Sequence, residues 1–113
     1  MSSALRSLGI PKRVKDALEE LVARLREVLG DVEVYLFGSY ARGDWVEGSD
    51  VDIVVVSPRF EGMNFVERCA LVRKLASPEI PFEILCYTPR ELEELLREST
   101  FLREVSSYWI RIA

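Results

Sequence analysis

At 113 residues, with a formal net charge of −4, the chain is read as one small domain over 1–113, long enough to bury about two-thirds of the surface its unfolded form exposes. Hydrophobic residues make up 49% and charged residues 30%, which excludes a disordered chain, and the acidic balance gives no direct nucleic-acid or anionic-membrane signal. No apolar run approaches the roughly 18–20 residues of a membrane span, and Met1–Gly9 lacks a signal-peptide pattern, so the expected location is the cytoplasm. There is no His, which removes the usual general base and zinc ligand. Cys69 and Cys86 have no metal-ligand spacing and read as buried thiols. Gln is absent, Asn64 is the only Asn, and Arg outnumbers Lys twelve to three, a faint mark of heat adaptation.

Met1–Ile10 reads as a loose leader. Pro11 suits the first position of a helix, and Val14, Leu18, Leu21, Val22, Leu25, Val28 and Leu29 then recur at helical spacing up to Gly30, a natural stop. Val32, Val34 and Leu36 alternate with Glu33, Tyr35 and Phe37, which predicts a strand over Asp31–Phe37. Ser39–Arg42 leaves room for one helical turn, and turn residues flank Trp45-Val46. Asp50–Ser57 is a second, strongly apolar strand ended by Pro58. Asn64 caps a helix carrying Phe65, Val66, Cys69, Leu71, Val72 and Leu75, broken at Ser77–Pro81. Phe82–Tyr87 is a third strand, apolar except for Glu83. Thr88-Pro89-Arg90-Glu91 is a capping box with Pro at the first helical position. Leu92, Leu95 and Leu96 give that helix its inner face, Phe101, Leu102 and Val105 continue it, and Tyr108–Ile112 ends as a short edge strand. The order αβ(α)βαβα defines an α/β (α+β) domain of two layers, a small mixed sheet covered by helices.

One stretch carries the chemistry. Phe37-Gly38-Ser39-Tyr40-Ala41-Arg42-Gly43 follows the first strand, and Asp50-Val51-Asp52 opens the second after ten residues. The strand period of two puts Asp50 and Asp52 on one face, roughly 6–7 Å apart at Cα. Carboxylates held so close repel unless a cation sits between them, and oxygen-only ligands suit Mg²⁺ or Mn²⁺. Gly38 lets an anion approach the backbone, Ser39 adds a hydroxyl, and Arg42 can pair with phosphate oxygens. The stretch reads as a metal–phosphate site.

Gly-Ser, ten residues, then Asp-x-Asp in an apolar strand resembles the minimal nucleotidyltransferases of the DNA polymerase β superfamily, and the likeness extends to Pro81–Leu92 and Phe101–Val105. The resemblance implies two Mg²⁺ ions held by Asp50, Asp52 and a third acid at Glu83, all three catalytic. It also implies a nucleoside triphosphate bound by Gly38 and Ser39, with AMP passed from ATP to a hydroxyl. Members of this class pair with helical HEPN proteins as toxin–antitoxin sets, so a partner of that kind is expected; self-pairing into a homodimer stays open. Two positions depart from the pattern. The third acid is usually Asp, and Tyr108-Trp109 is bulky where a small turn residue is usual.

Other readings compete at several positions. A non-catalytic nucleotide-binding module that silences its partner by occlusion is the alternative to catalysis, and Glu83 separates the two. Ser49 either orders Asp50 or accepts a hydrogen bond in its loop. Tyr40, Trp45 and Phe60 read as packing rather than base-stacking residues. Trp109 is read either as core or as partner surface. Glu91, Glu93, Glu94 and Glu98 read as a solvated helix face.

Overall fold

A computed structural model describes residues 3–113. Its helices are α1 (Ser3–Ser7), α2 (Lys12–Leu29), α3 (Gly38–Arg42), α4 (Phe65–Leu75), α5 (Pro89–Glu98) and α6 (Thr100–Ser106). Its strands are β1 (Glu33–Phe37), β2 (Val51–Val56), β3 (Phe82–Tyr87) and β4 (Ile110–Arg111). They form one mixed sheet in the order β3-β2-β1-β4. The short α3 excursion returns the chain antiparallel to β1, whereas the α4 crossover makes β3 parallel to β2.

Period-two alternation splits the apolar residues between the two sheet faces. Val34, Leu36, Val51, Ile53, Val55, Phe82, Ile84 and Cys86 meet Leu5, Val14, Leu18, Leu21, Val22, Leu25 and Val72 in the larger core. Phe37, Val54 and Val56 face the other way, against Leu92, Leu102 and Val105. The mixed sheet under helices is as expected. Beyond the two layers foreseen, α5 and α6 add a smaller cover on the second face, and that cover bounds the site.

Helix ends follow the local chemistry. Pro11 stands just before α2 rather than inside it, and Gly30, at φ +71°, closes the helix by donating to the Arg26 carbonyl. Asn64 caps α4 as expected, with a reciprocal bond from Glu67 that completes a capping box; Thr88 and Glu91 do the same for α5. Ser99 caps α6 as a separate helix, so the run expected to continue α5 restarts instead.

Several expectations are corrected. The leader, apart from Met1 and Ser2, which lie outside the described residues, contains α1, and its Leu5 is fully buried in the larger core. Val28 and, on α4, Phe65 and Val66 are exposed (Phe65 47%, Val66 75%). The inner face of α4 instead carries Arg68, only 7% exposed. Its guanidinium grips both Glu91 oxygens at 2.5 and 3.1 Å, donates to the Met63 and Cys86 carbonyls at 2.9 and 3.3 Å, and lies 5.7 Å from the Phe60 ring centre. Glu91 is therefore a structural ion-pair partner rather than part of a solvated face. Hydrogen bonding to Arg68 holds its carboxyl down at about 2. Because Glu91 is partly exposed, the pair is worth less than a fully buried one. Arg68→Ala should cost about 2 kcal/mol, read as a lower urea midpoint with unchanged slope.

The thiols are free. Cys86 is buried, with burial pushing its thiol up, and the half-buried Cys69 donates to the Ile84 carbonyl. Tyr40 stacks on Trp45 at 5.4 Å and Phe60 is fully buried, as packing requires. Ser49 Oγ accepts from the Val46 amide at 2.9 Å, tying its loop. Trp109 stacks on Tyr35 at 4.2 Å, against the smaller core.

Candidate functional site

The register of β1, β2 and β3 assembles the site. Phe37 at the end of β1 lies opposite Asp52, and Asp52 is the register partner of Glu83 on β3. Asp52 and Glu83 therefore leave the same sheet face from adjacent strands. Their side chains are thus neighbours, close enough for Glu83 to act on the Asp52 carboxyl. Burial, then the neighbouring Glu83 carboxyl and the charge of Asp50, push Asp52 up to about 7, against the pull of Arg42.

Gly38 follows Phe37 at φ +73°, where a side chain would be strained. It also has no room for one. A Cβ built there would stand 1.9 Å from Asp52 Oδ2. The glycine is thus required by the acid opposite it, not only by the turn. Gly43, at φ +89°, ends α3 five residues on by donating to the Ser39 carbonyl at 2.9 Å.

These residues line a cavity of about 440 Å³. Gly38, Arg42, Asp52 and Glu83 form its polar side; Phe37, Ile84, Leu85, Phe101 and Val105 form an apolar wall, and Tyr108 joins the two. Four of the six residues singled out in the sequence therefore meet in one place. Asp50 and Ser39 are not part of the lining. Asp50 is exposed just before β2, near enough for its charge to act on Asp52. Among the described residues, no three Asp, Glu, Cys or His side chains converge as a metal-binding group. The two acids in contact are Asp52 and Glu83.

Arg42 does not stand free. Its Nε donates to Asp44 at 3.2 Å and its Nη1 to the Tyr108 hydroxyl at 3.1 Å. In the sequence Tyr108 reads as a bulky residue opening the edge strand, which instead begins at Ile110, and nothing there marks Phe101 as part of a cavity wall. Phe101, 52% exposed and edge-on to Phe37 at 6.1 Å, looked like ordinary helix core. Only the placement of α6 over the second sheet face brings these residues to the acids, and no local pattern encodes that placement.

An acid pair from β2 and β3 thus lies beside the glycine turn and an arginine at one end of a mixed sheet. The chain belongs to the nucleotidyltransferase domain family, whose model matches residues 12–108. It is 27% identical over 99 residues to "Putative protein adenylyltransferase MJ0141" of Methanocaldococcus jannaschii, covering 88% of this chain and 94% of that protein. A shorter match, 42% identical over 48 residues, is to "Putative protein adenylyltransferase MJ1305" of the same organism; it takes in 41% of this chain and only 33% of that relative's length. Among solved structures, the fold resembles a "putative nucleotidyltransferase" crystal structure (TM-score 0.61, 30% identity, 85% of this chain and 97% of that one). It also resembles a chain in "the toxin-antitoxin with AMP-PNP" (TM-score 0.59, 23% identity, 84% and 71%), a likeness of fold alone.

Proposed function

We propose that this nucleotidyltransferase domain transfers AMP from ATP to a hydroxyl on a partner protein, with Mg²⁺ or Mn²⁺ as the cation. The observation that carries this reading is the Asp52–Glu83 pair, held side by side against a glycine that has room for no side chain. Two carboxyls set side by side on adjacent strands form an all-oxygen donor set that suits a hard divalent ion. Asp52 and Glu83 would hold the cation, with Asp50 beside them. A bound divalent ion would neutralise phosphate charge and stabilise both the attacking and the leaving oxygen.

The chain's own groups supply the remaining work. The Gly38 amide would donate to a phosphate oxygen, and Arg42 would offer a planar cation for a second. Glu83, exposed on β3, would draw the proton from an incoming hydroxyl. The apolar wall of Phe37, Phe101 and Val105 offers a surface against which a nucleobase would pack. The names of the Methanocaldococcus relatives support adenylylation of a protein, and the toxin–antitoxin neighbour supports a bound nucleotide and a partner chain. A helical HEPN-type partner in the cytoplasm remains the expected recipient. No helix among the described residues is long and apolar enough to cross a membrane.

Incubation with ATP labelled at the α-phosphate, Mg²⁺ and the product of the neighbouring gene should transfer label to that protein and release pyrophosphate. Chelation by EDTA should reduce transfer to background. Failure to label with ATP, GTP, CTP or UTP, together with unaltered silencing of the partner, would replace transfer by the occlusion reading.

A further inference from the structure

Tyr108 follows α6 and reaches back across the cavity to the start of α3. Its hydroxyl oxygen accepts two hydrogen bonds, from the Gly38 amide at 3.2 Å and from Arg42 Nη1 at 3.1 Å. The Arg42 guanidinium carbon also lies 5.6 Å from the centre of the Tyr108 ring. A peptide N–H and a guanidinium converging on one oxygen are the donors that a phosphate oxygen would use. Here a neutral phenol oxygen takes that place, in the same cavity as Asp52 and Glu83. The residue is only half-buried, and Tyr108 N and Trp109 N both donate to the Val105 carbonyl, so the backbone is anchored while the ring borders open space.

We propose, resting on the nucleotide reading above, that Tyr108 is a displaceable occupant of the polyphosphate site. An incoming triphosphate has to lift the hydroxyl from Gly38 and Arg42 before it can use either donor. Tyr108 thereby sets the affinity for nucleotide without being one of its ligands. An ionic oxygen outcompetes a phenol for these donors, because it brings a full negative charge to the Arg42 guanidinium and makes the Gly38 bond charge-assisted as well. The exchange is favourable but begins from an occupied site, which lowers the apparent affinity.

The test is calorimetric titration of the wild type and Tyr108→Phe with MgATP and, separately, with inorganic tripolyphosphate. The phenyl ring of the variant keeps its contact with Arg42 and loses only the hydroxyl. Tyr108→Phe should bind both probes about five- to hundredfold more tightly, the range spanned by the two hydrogen bonds its hydroxyl relinquishes. Binding by the variant where the wild type shows none would support the inference as well. Weaker binding by Tyr108→Phe would make the hydroxyl a nucleotide ligand, and unchanged binding would make it mere packing; either result overturns the inference while leaving the nucleotide reading intact. Absence of binding by both proteins to both probes would overturn the two together.

Discussion

Asp52→Asn should reduce nucleotidyl transfer by a factor on the order of 10²–10³ or more, while making the metal-free protein more stable. The activity loss follows because an amide cannot supply the second negative charge that a cation at the Asp52–Glu83 pair would need. The gain in stability has a separate origin. Asp52 sits at about 7 when folded, against roughly 4 in the unfolded chain. Between those values the folded protein holds a proton that the unfolded chain has released. Stability therefore falls as pH rises from about 4 to about 7, and then levels off. Allowing for solvent screening of a half-exposed side chain, the loss is about 1–2 kcal/mol. Glu91 acts in the opposite sense: held down at about 2 by Arg68, it contributes stability that is present above about 4.5 and lost as pH falls towards 2. From these two groups alone, the metal-free protein should melt highest near pH 4–5. Thermal scans from pH 3 to 8 would check this, and Asp52→Asn should remove the decline above pH 5 while keeping the acid limb. A wild-type melting point that rises steadily from pH 5 to 8 without divalent metal would contradict the forced pairing of the acids.

The parts of this fold that sequence reveals are those fixed by neighbours in the chain. The Phe82–Tyr87 strand, the Thr88 capping box and the Asn64 cap agree with the structure because each depends on a handful of adjacent side chains. The meeting of Gly38, Asp52 and Glu83 was also legible, through a spacing that belongs to a known family, although the physical reason for the glycine was not. That reason is a cross-strand fact: Phe37 pairs with Asp52, so the next residue must clear the carboxyl. Arg68 was hidden for a similar reason. On α4 it breaks the apolar pattern and looks like a surface cation, and its burial follows from Glu91, Met63 and Cys86 arriving from elsewhere in the fold. Leu5 was missed because five helical residues make too short a period to read, even though the core closes over one of them. Tyr108 and Phe101 depend on a helix packing against a sheet face that the two-layer expectation left bare.

Gly38→Ala separates stability from chemistry at the same place. The left-handed backbone at φ +73° costs an alanine roughly 1–2 kcal/mol. The new methyl group also meets Asp52: a Cβ would stand 1.9 Å from Oδ2, 2.9 Å from Cγ and 3.2 Å from Cβ of that residue. The carboxyl is the movable end of a short side chain, so the fold survives by rotating it out of the way, leaving a tight but tolerable contact between the two Cβ atoms. That rotation takes the Asp52 carboxyl away from Glu83 and spoils the pair that would hold a cation. The melting point should therefore fall by about 5–15 °C, whereas transfer should drop on the order of 10²–10³-fold at a temperature where the variant is fully folded. Gly43→Ala supplies the control. Its φ of +89° carries comparable backbone strain, but a Cβ there meets nothing within 4 Å. It should lose similar stability and keep most of its activity. Equal losses of activity in the two variants would mean that the strained turn, rather than the clearance above Asp52, is what the glycine protects.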